Sequence, residues 1–278
     1  MNTIQSVLEG ASQQLASVSE SAQLDAELLL GHCLGKPRSY LYAWSDKQVD
    51  SNTLQAFKAL IKKRQSDYPV AYLLGKQGFW SLDLKVTEDV LIPRPETELL
   101  VETALEKIHS IKAPKILDLG TGSGAIALAL AVERPDAKIL ASDYSVKALG
   151  IAEENARLNS IHNVSFIQSN WFETITLQPF DLIVSNPPYI RANDPHLKQE
   201  IRHEPQQALA SGKTGLDDIR IILHQAPIYM KKNTWILIEH GYDQGELVPE
   251  LMLQAGFLQA RCIKDYNANN RLSMGKKG

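Results

Sequence analysis

Asn186-Pro187-Pro188-Tyr189 directly follows the apolar run Phe180-Asp181-Leu182-Ile183-Val184-Ser185. The Asn186 side-chain oxygen can accept one hydrogen of an NH2 group. The Pro187 carbonyl, its direction restricted by Pro188, can accept the other. Tyr189 offers a flat ring to stack on an amide or a base, and its face tolerates a nearby cationic centre. Amide nitrogen is a poor nucleophile because its lone pair is delocalised. Two acceptors on its hydrogens oppose that delocalisation and favour positive charge developing on nitrogen. Such chemistry needs no strong general base and forms nothing covalent on the chain. A rigid strand-end loop would explain Pro187-Pro188 alone, but not Asn before and Tyr after them.

A second group lies upstream. Ile116-Leu117-Asp118-Leu119 runs through Gly120-Thr121-Gly122-Ser123-Gly124 into the apolar segment Ala125-Ile126-Ala127-Leu128. A strand-glycine turn-helix of this kind lets bare backbone approach a ligand. Asp143 closes the next strand about twenty residues on, where a carboxylate can accept both hydroxyls of a ribose; its plainer role would be a helix N-cap before Ser145. The candidate cofactor contacts are therefore Gly120, Thr121, Gly122, Ser123, Gly124 and Asp143. Nicotinamide dinucleotide and S-adenosyl-L-methionine both fit these residues. Ligands of an open parallel sheet collect beyond the carboxyl ends of the strands, so turn and tetrapeptide should share one crevice. A hydride-transfer enzyme would leave residues 186–189 without a task. Methyl transfer by in-line displacement, leaving S-adenosyl-L-homocysteine, would use both groups, with Asn186 near cofactor and acceptor alike.

The elements that must position them follow from periodicity. Between residues 4 and 64 apolar side chains recur at helical intervals, among them Ile4, Leu8, Leu15, Leu29, Phe57 and Ile61, with breaks at 17–21, 35–37 and 45–52. This predicts four or five bundled helices. Lys62-Lys63-Arg64 reads as a solvated helix end rather than a binding patch. Residues 79–86 alternate as a hairpin strand does. From Glu96 onward helix and strand alternate, predicting a parallel sheet covered on both faces. Its strands are expected at 115–119, 138–142, 164–168, 180–185 and 235–239, with helices at 125–133 and 145–159. An antiparallel pair at 258–263 and 271–274 is expected to close the sheet edge. The organisation expected is a helical bundle at 1–70, a linker and hairpin at 71–95, and an α/β domain at 96–278.

Bulk properties narrow the class. The 278 residues, 44% apolar and 22% charged, suit one large core plus a smaller module. A formal charge of −3 and an isoelectric point near 6.2 supply no net field for a polyanion, which argues against nucleic acid as the main partner. Cys33 and Cys262 lack the paired spacing of a zinc or redox site, so no metal is expected and a reducing compartment is. No basic-then-apolar leader opens the chain, and no stretch nears the ~20 apolar residues that span a bilayer. Cytoplasmic residence without membrane attachment is the expectation.

With these residues in hand, the sequence resembles, over essentially its whole length, the bacterial protein-(glutamine-N5) methyltransferases that modify peptide chain release factors. Further carriers of the likeness are Leu91-Ile92-Pro93-Arg94-Pro95-Glu96-Thr97-Glu98, Asn170-Trp171-Phe172, and Glu204-Pro205 with Ala208-Leu209. The resemblance implies a Rossmann-like class I S-adenosylmethionine methyltransferase sheet with an N-terminal helical bundle that recognises the substrate. It implies that the acceptor is the glutamine of the Gly-Gly-Gln motif, seated by Asn186, Pro187, Pro188 and Tyr189. Trp171 would border the adenine and residues 92–98 would lie near the active site. Taken alone, Trp171 reads as core or rim, and Pro95 as the first residue of a helix. The partner implied is a release factor, with no direct nucleic acid contact and a monomeric enzyme. His203 stands where relatives often carry an aromatic or apolar residue, which bears on local packing.

Other readings share parts of the pattern. A sister group methylates glutamine in a ribosomal protein with the same tetrapeptide. Adenine N6 methyltransferases use a similar one, but must flip a base and grip phosphates. A noncatalytic binding module would leave both motifs idle.

Overall fold

The computed structural model describes residues 2–198 and 201–278, and the chain divides into Met1–Lys76 and Gln77–Gly278. In the first unit α1 (Ile4–Leu15), α2 (Ala22–Leu34), α3 (Arg38–Ala43), α4 (Ser51–Gln65) and α5 (Val70–Leu74) enclose Leu15, Leu29, Leu30 and Phe57. Caps set the boundaries. The Thr3 hydroxyl accepts from the Ser6 N–H, Asp50 accepts from Asn52 and Thr53, and Gly35 in the left-handed region ends α2.

Two details differ from expectation. Helix α5 falls largely inside the stretch read as linker, because Leu73 and Leu74 pack against the bundle core; five residues are too few for periodicity to reveal. Arg64 is not a solvated helix end. Its side chain is 14% exposed, donating from Nε to Asp25 Oδ2 at 2.8 Å and from Nη1 to Asp67 Oδ1 at 3.1 Å. A partner 39 residues away is invisible in the local pattern.

The chain continues through a hairpin of β1 (Lys76–Phe79) and β2 (Leu82–Lys85). The alternating stretch 79–86 thus contains the turn itself, made by Trp80 at φ +56°. Next come α6 (Glu98–Ile108), β3 (Lys115–Leu119), α7 (Ala125–Glu133), β4 (Lys138–Asp143), α8 (Val146–Leu158), β5 (Val164–Gln168) and β6 (Phe180–Ser185). They are followed by α9 (Asp217–Gln225), β7 (Met230–Glu239), α10 (Leu247–Gln254), β8 (Phe257–Lys264) and β9 (Asn270–Lys277). Strand β7 begins five residues earlier than its apolar run, and carries a register shift opposite β6.

Among the described residues the sheet has seven strands in the order β5-β4-β3-β6-β7-β9-β8, parallel except for β9, which runs antiparallel to both β7 and β8. Alternate residues serve opposite cores. Ile116, Leu182 and Val184 pack with Val101, Ile126 and Leu130, while Leu117, Leu119 and Ile183 pack with Ile219, Ile222 and Met252. Burial on both faces is why these strands read as unbroken apolar runs. Strand order reverses at β3, with β4 on one side and β6 on the other, and that reversal opens a crevice beyond the carboxyl ends. Among the described residues no helix is long and apolar enough to cross a membrane.

Candidate active site

The turn after β3 is shaped by glycine. Gly120, Gly122 and Gly124 have φ of +72°, +57° and +86°, a region costly for other residues. Backbone bonds tie the turn to the end of β4: the N–H groups of Gly120 and Thr121 both donate to the Ser142 carbonyl at 2.9 Å. The Gly122 N–H donates to Asp143 Oδ2 at 2.8 Å, and the Ser145 N–H to Asp143 Oδ1 at 2.9 Å. Asp143 therefore braces the turn, while the cap of α8 is Ser145. Burial raises the Asp143 carboxyl, and the three backbone N–H groups of Ser145, Gly122 and Tyr144 oppose the rise.

Thr121, Ser123 and Gly124 work inside the turn rather than on the cavity wall. The Thr121 hydroxyl donates to Asp118 Oδ2 at 2.6 Å, the Ser123 carbonyl accepts from Asn155 Nδ2, and a Cβ at Gly124 would press on Leu128 and Ala152 at 3.1–3.3 Å. Asp118 is fully buried and its Oδ1 has no partner among the described residues. Burial pushes its carboxyl up to about 7, against the Thr121 hydrogen bond and with the Asp143 charge adding to the rise.

Gly120, Gly122, Asp143, Trp171, Asn186 and Pro188 line one cavity of about 420 Å³, a size suited to a cofactor. The Trp171 ring lies against Gly120, 3.5 Å from where a Cβ would stand, and its indole N–H donates to Asp218 Oδ1 at 3.1 Å. Asp218, from the start of α9, also borders this cavity.

A smaller cavity of about 170 Å³ adjoins it, lined by Arg94, Tyr189 and the apolar side chains of Leu91, Ile190, Ile201 and Leu209. Asn186 lines both cavities, as do Leu91 and Ala208. Pro187 lies buried behind and Pro188 faces the larger space. The tetrapeptide is held from below: the Ser185 hydroxyl donates to the Leu119 carbonyl at 2.7 Å, and Gln244 Nε2 donates to the Tyr189 carbonyl at 3.0 Å. Burial drives the Tyr189 phenol well above its ordinary value, with the Glu239 charge adding to it.

The segment from Ile92 to Arg94 is clamped by Glu204. The Ile92 N–H donates to Glu204 Oε2 at 3.1 Å and Arg94 Nη2 to Glu204 Oε1, closing the wall of the smaller cavity. His203 beside it receives Arg202 Nε at 3.2 Å.

Three further carboxylates lie near the site. Asp118 sits within the glycine motif, where its orphaned oxygen marks it. Asp218 has no sequence signal beyond its helix start. Glu239 carries one: a lone carboxylate ending Trp235-Ile236-Leu237-Ile238-Glu239, at the strand end that faces a crevice.

Residues 6–75 match a family model described as PrmC N-terminal domain, and residues 95–216 one described as Methyltransferase small domain. A release factor glutamine methyltransferase of Coxiella burnetii is 45% identical over 278 residues, covering 100% of both chains. One of Pseudomonas aeruginosa is 47% identical over 259 residues, covering 93% of this chain and 94% of that one. The chain belongs to the release factor glutamine methyltransferase family. The fold of this family member is also that of a Pyrococcus furiosus methyltransferase, with TM-score 0.56, 18% identity, and coverage of 78% of this chain and 99% of that one. The region matched by the methyltransferase family model, residues 95–216, contains the glycine turn and the strand end that carries Asn186.

Proposed function

We propose that this chain transfers the methyl group of S-adenosyl-L-methionine to the N5 side-chain amide of the glutamine in the Gly-Gly-Gln motif of peptide chain release factors, leaving S-adenosyl-L-homocysteine. The observation that carries the reading is the position of Asn186 at the junction of a cofactor-sized cavity and a narrow apolar one. When bound, the cofactor supplies an electrophilic methyl group on a sulfonium centre.

The larger cavity has donors and acceptors for such a ligand. Gly120 and Gly122 present bare backbone, Asp143 retains lone pairs for a ribose diol, and Trp171 offers a ring edge-bound by Asp218 for an adenine. Thr121, Ser123 and Gly124 hold that surface in shape. In the smaller cavity Leu91, Ile190 and Leu209 would grip the methylenes of a glutamine. Asn186 Oδ1 and the Pro187 carbonyl would take the two amide hydrogens, with Tyr189 against the amide plane. These acceptors stabilise positive charge on nitrogen as its bond to the methyl forms. The proton then released leaves to water, and the walls around Asn186 keep bulk water from competing as acceptor.

The helical bundle is assigned the task of engaging the release factor, since one glutamine loop supplies little binding energy for specificity. Exposed Tyr42 and Trp44 are suitable contacts. The enzyme is read as a cytoplasmic monomer acting on free release factors, with no metal.

Incubating purified enzyme with methyl-labelled cofactor and intact release factor, then mapping the label by mass spectrometry, tests the proposal. Label on the glutamine of the Gly-Gly-Gln peptide is the expected result. A release factor left unlabelled, or labelled at another residue, would overturn it.

A further inference from the structure

Glu239 ends β7, and because Ser185 pairs with Ile238 in parallel register, it stands beside Asn186. The residue is 1% exposed, and its Oε2 has no hydrogen-bond partner among the described residues. Asn186 Nδ2 donates to Thr97 Oγ1 at 3.3 Å, and the side chains of Thr97 and Asn186 both lie near enough to the carboxyl group to favour its ionised form. An ionised carboxylate accepts and cannot donate. It therefore draws the hydrogens of Thr97 and Asn186 inward. An asparagine whose NH2 points inward presents its oxygen outward, which is the orientation an acceptor clamp requires. The reverse orientation would set NH2 against NH2.

We propose that Glu239 is a positioning residue for the transfer: with Thr97 it takes the hydrogens of Asn186 and turns Asn186 Oδ1 toward the incoming amide. The inference rests on the reading of residues 186–189 as the acceptor clamp. Its carboxylate also polarises the Asn186 amide, making Oδ1 a stronger acceptor as positive charge arrives on the substrate nitrogen. No atom passes to Glu239.

The surroundings make this hold sensitive to pH. Burial lifts the Glu239 carboxyl to about 7; Thr97, Arg271 and Asn186 oppose the rise and the Glu96 charge adds to it. These groups come from the segment before α6, from β9 and from the end of β6. Tyr189 faces it as a phenol that burial keeps neutral, and the next residue, His240, is lowered by burial. The ionised, orienting form therefore gains population as pH rises through neutrality.

The test uses the full chain, intact release factor and saturating cofactor. For wild type, kcat is expected to rise with pH through an apparent pKa near 7, while KM and cofactor Kd hold within about two-fold. Glu239→Gln is expected to lower kcat about 10- to 100-fold and flatten that rise. Thr97→Val should do the same, Thr97→Ser should recover most of the loss, and the double variant should be no worse than either single one, as for residues acting as a unit. A Glu239→Gln enzyme with wild-type kcat and pH profile would overturn the proposal. So would a loss of cofactor affinity as large as the loss of kcat.

A second readout does not need turnover. The Asn186 side-chain amide protons in nitrogen-15 labelled protein, assigned by their disappearance in Asn186→Asp, should exchange slowly in wild type and quickly in Glu239→Gln. Equal exchange in the two overturns the orientation argument. A wild type that methylates no release factor refutes the acceptor reading, and this amide measurement then still decides for or against the hold of Glu239.

Discussion

The hydroxyl of Ser185 donates to the carbonyl of Leu119 at 2.7 Å, across the two strands where the order of the sheet reverses. These residues are also partners in the parallel register, so the next residue on each strand, Gly120 and Asn186, opens onto the same crevice. Ser185→Ala removes the donor from a fully buried pair. It should cost about 1–3 kcal/mol, read as a lowered midpoint in chemical denaturation, and should lower methyl transfer by loosening the spacing of turn and clamp.

Asn186 itself is the direct test of the clamp. Asn186→Ala is expected to reduce single-turnover methylation about 100-fold or more, on the scale of losing one preorganised group at a developing charge. Cofactor affinity by calorimetry should change only a few-fold. An equal fall in both would place Asn186 in cofactor binding alone.

Gly215 protects the backbone behind Tyr189. It has φ +75°, and a Cβ there would stand 2.3 Å from the Tyr189 carbonyl oxygen. Gly215→Ala therefore combines strain of about 1–3 kcal/mol with a backbone collision, and should lower the melting temperature and activity together. Gly10→Ala, where a Cβ meets nothing within 4 Å, is the matched control, with stability unchanged or slightly raised.

The Arg94–Glu204 pair should respond asymmetrically. Glu204 has a side chain 3% exposed and Arg94 one 34% exposed, so removing the arginine strands a buried carboxylate. Arg94→Ala should cost about 1.5–3 kcal/mol, more than Glu204→Gln, which keeps an acceptor for the Ile92 N–H. Denaturation midpoints of the two variants decide the order.

Asp118 makes a prediction about pH and stability. Its carboxyl is raised from 3.8 to about 7 by burial, so between those values the folded chain holds a proton that the unfolded chain has lost. Stability contributed by this group is present below about pH 4 and falls as pH rises toward about 7. His240 acts oppositely, being lowered by burial, so the informative quantity is the difference between wild type and Asp118→Asn. That difference should shift against the wild type as pH rises from about 4 to 7. A flat difference would mean that Asp118 is ionised throughout.

Much of the scaffold was legible because burial on both faces leaves a strong mark. Strands β3 and β6 and helix α7 fall where the apolar runs lie, and the strand ends are also where the motifs lie. Short or bent elements left weaker marks. Trp80 hides a turn inside an alternating stretch, α5 is held by distant apolar partners, and β7 starts among Lys231, Lys232 and Asn233, which no apolar run announces. Arg64 turned inward because Asp25, on another helix, offered it a partner. The candidate site divides in the same way: Gly120, Asp143 and Asn186 announced themselves by residue type and spacing, whereas the clamp of Glu204 on Ile92 joins residues 112 apart.

The sequence by itself determined the kinds of groups available: a glycine turn ending a strand, a carboxylate ending the next, and a hydrogen-accepting tetrapeptide ending a third. These are local properties of backbone freedom, side-chain chemistry and periodicity. Only the tertiary structure decided that Asn186 sits where two cavities meet and that Glu239 and Thr97 stand behind it, because strand order and register set which chain ends become neighbours. Distances along the chain carry no record of that choice, and the chemistry of the site depends on it.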